Sequence, residues 1–234
     1  LRDRWLLTCA ACGVRVTDTY ADGAPLGDYY TDVEAHHGKL GKQLAERDGA
    51  LRAIARDQAD AMETLCGPRR HGRFLEVGCS RGHLLEEMEA RGWDVAGIEL
   101  SRRSSAEAGQ RIQGPVHLGT PEDAPFGAGS FDRIALFDVL AHLAEPARTL
   151  RRVSDLLAPG AELVLSTVNE DWRVVPALLL AFRLAPSRTA ALRDEMYEGQ
   201  HYCYFSARNL PNLLESVGLV VQSVRPLEPL STRY

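Results

Sequence analysis

Lysine is nearly absent from this chain of 234 residues. Lys39 and Lys42 are the only two, and arginine carries the rest of the positive charge. That scarcity reflects genome composition rather than chemistry. Positive charge is also outnumbered, with 27 basic residues against 32 acidic ones and a formal net charge of −5. A broad basic surface is therefore excluded, and nucleic acid is not the expected substrate. No apolar run has transmembrane length. The longest outside the candidate strands, Val174 to Ala181, is short and is closed soon after by Arg183. No secretory leader is read, and the chain starts at Leu1, so the expectation is a processed, truncated or partly ordered form of a longer protein. Cys9, Cys12, Cys66, Cys79 and Cys203 are an odd set without scaffold spacing, which fits a reducing cytoplasm.

One further absence narrows the chemistry. Residues 74–82 read Phe-Leu-Glu-Val-Gly-Cys-Ser-Arg-Gly, a short apolar strand running into a glycine-rich turn, with a helix starting near His83. A second strand, Val95 to Ile98, ends in Glu99. This is the layout of a nucleotide crevice at the carboxyl edge of a parallel sheet. The dinucleotide fingerprint needs a third glycine, and the chain offers only Gly78-x-Ser80-x-Gly82. Glu76 sits inside the first strand, where its charge would repel a pyrophosphate but suits an ammonium or sulfonium ion. Glu99 can accept both ribose hydroxyls. A cationic amino-acid end, a ribose and an adenine together describe S-adenosylmethionine. The plainer alternative is two solvated carboxylates at a sheet edge.

An apolar fraction of 45% supports a sizeable core, and the length suits one domain with an appendage. From Phe74 the pattern alternates strand and helix: Leu84 to Arg91, Ser101 to Arg111 and Pro146 to Leu157 as helices, Val116 to Leu118, Arg133 to Phe137 and Glu162 to Thr167 as strands. That alternation predicts an α/β fold with a doubly wound, mostly parallel sheet, helices on both faces and a helical lid. A helix over Ala207 to Val217 and a strand over Leu219 to Val224 follow, whereas Leu227 to Tyr234, with two prolines, makes a poor last strand. Residues 33–66 carry Leu40, Leu44, Leu51, Ile54 and Met62 at helical spacing. They read as one or two helices that either gate the ligand or merely cap the sheet. The division is 1–70 as N-terminal segment and lid, and 71–234 as core, with an acceptor-side insertion at 169–205.

Five ordered blocks resemble the class I S-adenosylmethionine-dependent methyltransferases over roughly residues 74–225. Glu76 to Gly82 resembles the first motif, and Gly97 to Ser101 the ribose-binding acid block. Gly119 to Phe126 resembles the adenine loop, Ser130 to His142 the fourth strand and its exit, and Leu157 to Ser166 the turn into the fifth strand. Ser80 departs from the glycine that is commonest there. The resemblance implies a Rossmann-like fold and S-adenosyl-L-methionine as cofactor, with S-adenosyl-L-homocysteine as product. It implies cofactor contacts from Glu76, Gly78, Cys79, Ser80, Gly82, Glu99, Leu100, Thr120, Pro121, Glu122, Phe137 and Asp138. His142 and His201 are the candidate bases, each with a packing or loop-holding role as the alternative. Relatives that bind a metal here carry a glutamate before the histidine, where this chain has Ala141, so no metal is expected. By position, Asn169, Asp171 and Trp172 are candidate acceptor contacts, and Tyr202 and Tyr204 either shape the acceptor pocket or are ordinary strand aromatics.

Cys9-Ala-Ala-Cys12-Gly13, in a segment read as irregular, is half of a zinc ribbon. Tyr20, Tyr29 and Tyr30 resemble the aromatic linker that follows such ribbons in some methyltransferases; the other reading is no bound metal. The expected enzyme is cytoplasmic and methylates a small molecule, at an oxygen of a natural product, sugar or quinone-like phenol. No nucleic-acid or membrane partner is expected, and a homodimer is one option for assembly. A catalytically silent cofactor-binding subunit, or methylation at carbon or nitrogen, is the alternative.

Overall fold

The computed structural model describes residues 6–10, 12–17, 48–67, 71–170, 175–189, 192 and 201–225. In chain order the elements are β1 (Leu6–Thr8), β2 (Arg15–Thr17), α1 (Asp48–Cys66), β3 (Arg73–Val77), α2 (His83–Ala90), β4 (Asp94–Glu99), α3 (Arg102–Arg111), β5 (Val116–Leu118) and β6 (Phe131–Phe137). A 3₁₀ turn at Leu140–His142 follows, then α4 (Pro146–Leu156), β7 (Leu157–Ser166), α5 (Val175–Leu184), β8 (Cys203–Tyr204) and α6 (Leu210–Ser216). The described residues group into two compact units. The sheet unit lies within Ala24–Phe137 and Arg151–Leu165, and the hairpin unit within Leu1–Gly23, Asp138–Leu150 and Ser166–Pro226.

In the sheet unit the strand order is β5-β4-β3-β6-β7. β3 runs parallel to β4, with Phe74 opposite Val95 and Val77 opposite Ile98, and parallel to β6, with Glu76 opposite Ala135. β5 adds parallel to β4. Parallel strands are covered on both faces, which explains their nearly unbroken apolar runs. Phe74, Trp93 and Val95 share one core cluster with Leu84, Leu85 and Met88 of α2 and with Ala55, Ala59 and Met62 of α1. Thus α1 is a core helix. Its buried stripe is Met62 of the expected pattern with the small Ala55 and Ala59, four residues apart, whereas Leu51 and Ile54 of that pattern are only half-buried. Arg91 ties the two helices together through Glu87 on α2 and Asp60 and Glu63 on α1.

Arg133, expected as the opening residue of an apolar strand, is fully buried in β6. It bonds Glu162 twice, at 3.0 and 2.6 Å, and its guanidinium lies 5.1 Å from the Trp93 ring centre. Removing one partner of a buried ion pair costs roughly 3–5 kcal/mol. Glu162 keeps 34% of its side chain exposed, so water recovers part of that cost. Glu162→Gln should therefore lower stability by about 2 kcal/mol in urea unfolding. No change would mean that water already satisfies Arg133.

Three expectations are corrected. The N-terminal segment is not wholly irregular: β1 and β2 form an antiparallel hairpin, and β2 pairs with β8, placing Arg15 opposite Tyr204 and Val16 opposite Cys203. Cys9 and Gly13 close the hairpin turn (Gly13 N–H to Cys9 O 2.9 Å, Cys9 N–H to Val14 O 2.8 Å), and Gly13 takes the left-handed φ of +75° that glycine alone adopts freely. Second, residues 157–161 are already strand rather than a separate turn. Third, Leu219 to Val224 is not a strand. It has no ladder partner among the described residues, and Val220 is 78% exposed, so its apolar pattern never meets a sheet. α6 begins at Leu210 rather than Ala207; residues 207–209 form the turn that leads into it, closed by Ser206 N–H to Asn209 Oδ1 at 2.8 Å and Asn209 N–H to Ser206 Oγ at 3.2 Å. Tyr20, Tyr29, Tyr30, Leu40, Leu44 and residues 227–234 lie outside the described residues.

Candidate functional site

In the sheet unit the glycine turn leaves β3 held against β4. Gly78 N–H and Cys79 N–H both donate to Ile98 O, at 2.8 and 3.1 Å. The backbone then turns left-handed at alternate positions: Gly78 at φ +74°, Ser80 at +46° and Gly82 at +78°. Glu99, at the end of β4, accepts the Ser80 N–H on one carboxylate oxygen and the Ser101 N–H on the other, each at 2.8 Å. One carboxylate therefore fixes both the glycine turn and the start of α3. Gly82 must be glycine for a second reason, since a Cβ there would lie 3.0 Å from Ala108 of α3. Leu100, half-buried, follows directly.

Ser80 carries a side chain in a conformation that costs an L-residue about 1 kcal/mol. Ser80→Gly should raise the melting temperature by about 2 °C, part of the relief being offset by unfolded-state entropy. Differential scanning calorimetry reads this directly. A lower melting temperature would show that the serine is not strained.

Glu76 is buried on the adjacent strand, and its Oε2 has no hydrogen-bond partner among the described residues. Burial first, and the nearby charge of Glu99 second, push its carboxyl up to about 8. A buried acceptor left open beside an anchored acid and a glycine turn fits a ligand with an ammonium group and a ribose. Cys79 points the other way. Its thiol is packed in the core cluster under the turn, and a Cβ on Gly97 would come within 2.7 Å of its sulfur. Burial raises its pKa well above the ordinary thiol range, so Cys79 contributes backbone to the turn rather than a reactive group.

The loop after β5 is anchored at both ends. Gly119 N–H donates to Glu99 O at 3.0 Å, and Thr120 donates through its N–H and hydroxyl to Asp123. Arg152 donates to the carbonyls of Pro121, Ala124 and Phe126. Arg152 was not among the expected residues, because backbone carbonyls leave no mark in a sequence. A second unexpected group holds the glycine turn from outside. Arg111 donates to Arg81 O at 3.0 Å and pairs with Glu86 and Asp48; Asp48 also bonds His83 at 2.8 Å. Phe137 closes β6 half-buried against the core cluster.

The hairpin unit contains the remaining candidates. Asp138 is exposed, in the left-handed region at φ +57°, and its N–H and carboxylate both engage Ser166. The rings of His142 and His201 lie 4.7 Å apart, and His201 meets Tyr204 edge-on at 6.0 Å. Tyr202 N–H donates to Ala141 O at 2.8 Å, which registers the two histidine segments. Tyr204 is buried against Phe182, so its ring is a packing element. Tyr202 is half-buried, and Asn169 is exposed, bridging to Phe205. Asp171 and Trp172 lie outside the described residues. Among the described residues no three histidine, cysteine or acidic side chains are placed to hold a metal ion.

Residues 48–224 match the family model of the methyltransferase domain. The ubiquinone biosynthesis O-methyltransferase of Xanthomonas oryzae pv. oryzae is 30% identical over 201 residues, covering 79% of each chain. That of Aromatoleum aromaticum is 33% identical over 108 residues, 43% of this chain and 46% of the relative, so this match spans less than half the relative's length. In fold, an S-adenosylmethionine-dependent methyltransferase from Mesorhizobium loti superposes with a TM-score of 0.57 at 19% identity, over 74% of this chain and 86% of that one. The glycine turn, its two acids and a domain match running through both units agree, and the chain belongs to the methyltransferase-domain family of class I S-adenosylmethionine-dependent enzymes.

Proposed function

We propose that this protein transfers the methyl group of S-adenosylmethionine to a hydroxyl oxygen of a small phenol- or quinol-like acceptor. The observation that carries the donor half is the buried, unsatisfied Oε2 of Glu76 next to the doubly anchored Glu99. The acceptor half draws on relatives named as ubiquinone biosynthesis O-methyltransferases. Glu76 would take the ammonium group and Glu99 the ribose hydroxyls, with the glycine turn Gly78–Gly82 supplying close backbone approach. Thr120, Pro121 and Glu122 would frame the adenine.

The cofactor, when bound, supplies a methyl group already activated by a sulfonium. The protein's share is to orient the reactants and to take the proton of the acceptor hydroxyl. Such a base contributes roughly 10²–10⁴-fold. The imidazoles of His142 and His201, whose rings lie 4.7 Å apart, are the ones proposed for it. A cytoplasmic location is part of the same proposal and is supported by five free thiols. So are a boundary at residue 70, an acceptor-side lid over residues 169–205, and a homodimer as the assembly to test.

Incubation with S-adenosylmethionine carrying a labelled methyl group and catechol or hydroquinone should yield a labelled methyl ether and S-adenosylhomocysteine. Transfer only to amine or carbon acceptors would overturn the oxygen reading. Cofactor binding without transfer to any acceptor would favour the silent accessory subunit.

A further inference from the structure

In the hairpin unit a cavity of about 360 Å³ lies between the β1–β2 turn and the start of α6, with Arg15, Glu170, Arg208, Asn209 and Asn212 in its wall. Its frame is tied in place. Arg15 pairs with Glu170 at 3.0 Å, and the Glu170 side chain is only 8% exposed. Glu170 N–H donates to Phe205 O at 2.7 Å. Asn209 is spent on the frame, accepting from Ser206 N–H and donating to Gly13 O at 3.0 Å. Arg208 and Asn212 differ. Neither makes a side-chain hydrogen bond among the described residues, yet both line the cavity.

We propose that this cavity binds a carboxylate, and that it holds the carboxylate substituent of an aromatic acceptor. Two guanidiniums oppose one carboxylate, which leaves a single surplus positive charge and matches a monoanion. A phosphate monoester, at about −1.5 to −2 near neutral pH, would be under-compensated. The planar fork of Arg208 suits the two oxygens of a carboxylate, and the Asn212 amide adds a neutral donor. The guanidiniums supply this charge; α6 is too short for its end to matter. Arg15 stands directly opposite Tyr204 on the small sheet, and Tyr204 meets His201. Arg15 of the cavity wall is thus on the strand that pairs with β8, which begins two residues after His201, one of the proposed bases. The acceptor role rests on the function proposed above; the carboxylate site does not.

The test uses the full chain and Arg208→Gln, an exposed position whose loss leaves no buried partner. Arg15→Gln is less clean, because it would also remove the Arg15–Glu170 ion pair that frames the cavity. Calorimetry with benzoate, 3,4-dihydroxybenzoate, catechol and inorganic phosphate should show the two acids bound more tightly than catechol. Their affinity should fall about 10- to 100-fold in Arg208→Gln. Equal binding of acid and catechol, tighter binding of phosphate than of benzoate, or acid binding unchanged in Arg208→Gln would each overturn the proposal. Methyl transfer is scored separately. If neither dihydroxybenzoate nor catechol is methylated while benzoate still binds through Arg208, the acceptor role and the oxygen-transfer reading fail and the carboxylate site stands.

Discussion

Glu99→Ala should weaken S-adenosylmethionine binding by about 100-fold, the largest loss expected from any single change in the glycine-turn region. Two contributions add. A ribose diol bound to an ionised carboxylate gains charge-assisted hydrogen bonds, together about 2–3 kcal/mol, and each 1.4 kcal/mol is about tenfold in affinity. The same carboxylate also holds the N–H groups of Ser80 and Ser101 at 2.8 Å. Truncation would therefore loosen the turn that must approach the ligand. Glu99→Gln separates the two. The amide keeps one oxygen acceptor and a similar shape, so it should restore part of the turn but not the charge, and lose about tenfold. Isothermal calorimetry with S-adenosylmethionine and S-adenosylhomocysteine measures both variants. An affinity for Glu99→Ala within threefold of the wild type would refute the ribose assignment.

The contrast between Glu99 and the residues that support it shows what a sequence can reveal. Glu76, Gly78, Gly82 and Glu99 are legible because local rules place them. A short apolar run ends in glycine, a second ends in an acid, and parallel pairing then sets the two ends side by side. Val116 to Leu118 is legible from its place in the strand–helix alternation, and Pro146 onward from helix-start chemistry. Arg152, Arg111 and the Asp48–His83 pair were not, since they act through carbonyls and partners between 25 and 63 residues away. The β1–β2 hairpin was hidden because three-residue strands hardly show alternation, and its pairing with β8 joins residues nearly the whole chain apart. Leu219 to Val224 failed in the opposite sense. It has strand-forming residues, but strand formation needs a neighbour to complete the ladder, and composition carries no information about that neighbour.

The stability of the ligand-free protein should fall as pH rises from about 4.5 to 8, and Glu76 should be the cause. Its carboxyl has an ordinary value of 4.5 and is pushed up to about 8 in the fold, by burial and then by Glu99. Between those values the folded state holds a proton that the unfolded state has lost, so raising the pH favours unfolding. The contribution is complete below 4.5, drains away as pH climbs towards 8, and stays lost above it. At about 1.4 kcal/mol per pH unit the full effect is about 5 kcal/mol, an upper figure because buried sites relax. Glu76→Gln should flatten this dependence and make the ligand-free protein more stable than the wild type at pH 8. It should also weaken S-adenosylmethionine, because the amide offers no charge to an ammonium. Those opposite signs are the mark of a group kept for binding at the expense of stability. A third measurement joins them. If the ammonium is bound by the ionised carboxylate, binding at pH 7 must expel the proton that Glu76 holds. Calorimetry in buffers of different ionisation enthalpy should then count about one proton released by the wild type and none by Glu76→Gln. A wild type that releases no proton, with a flat stability profile, would place the ammonium elsewhere.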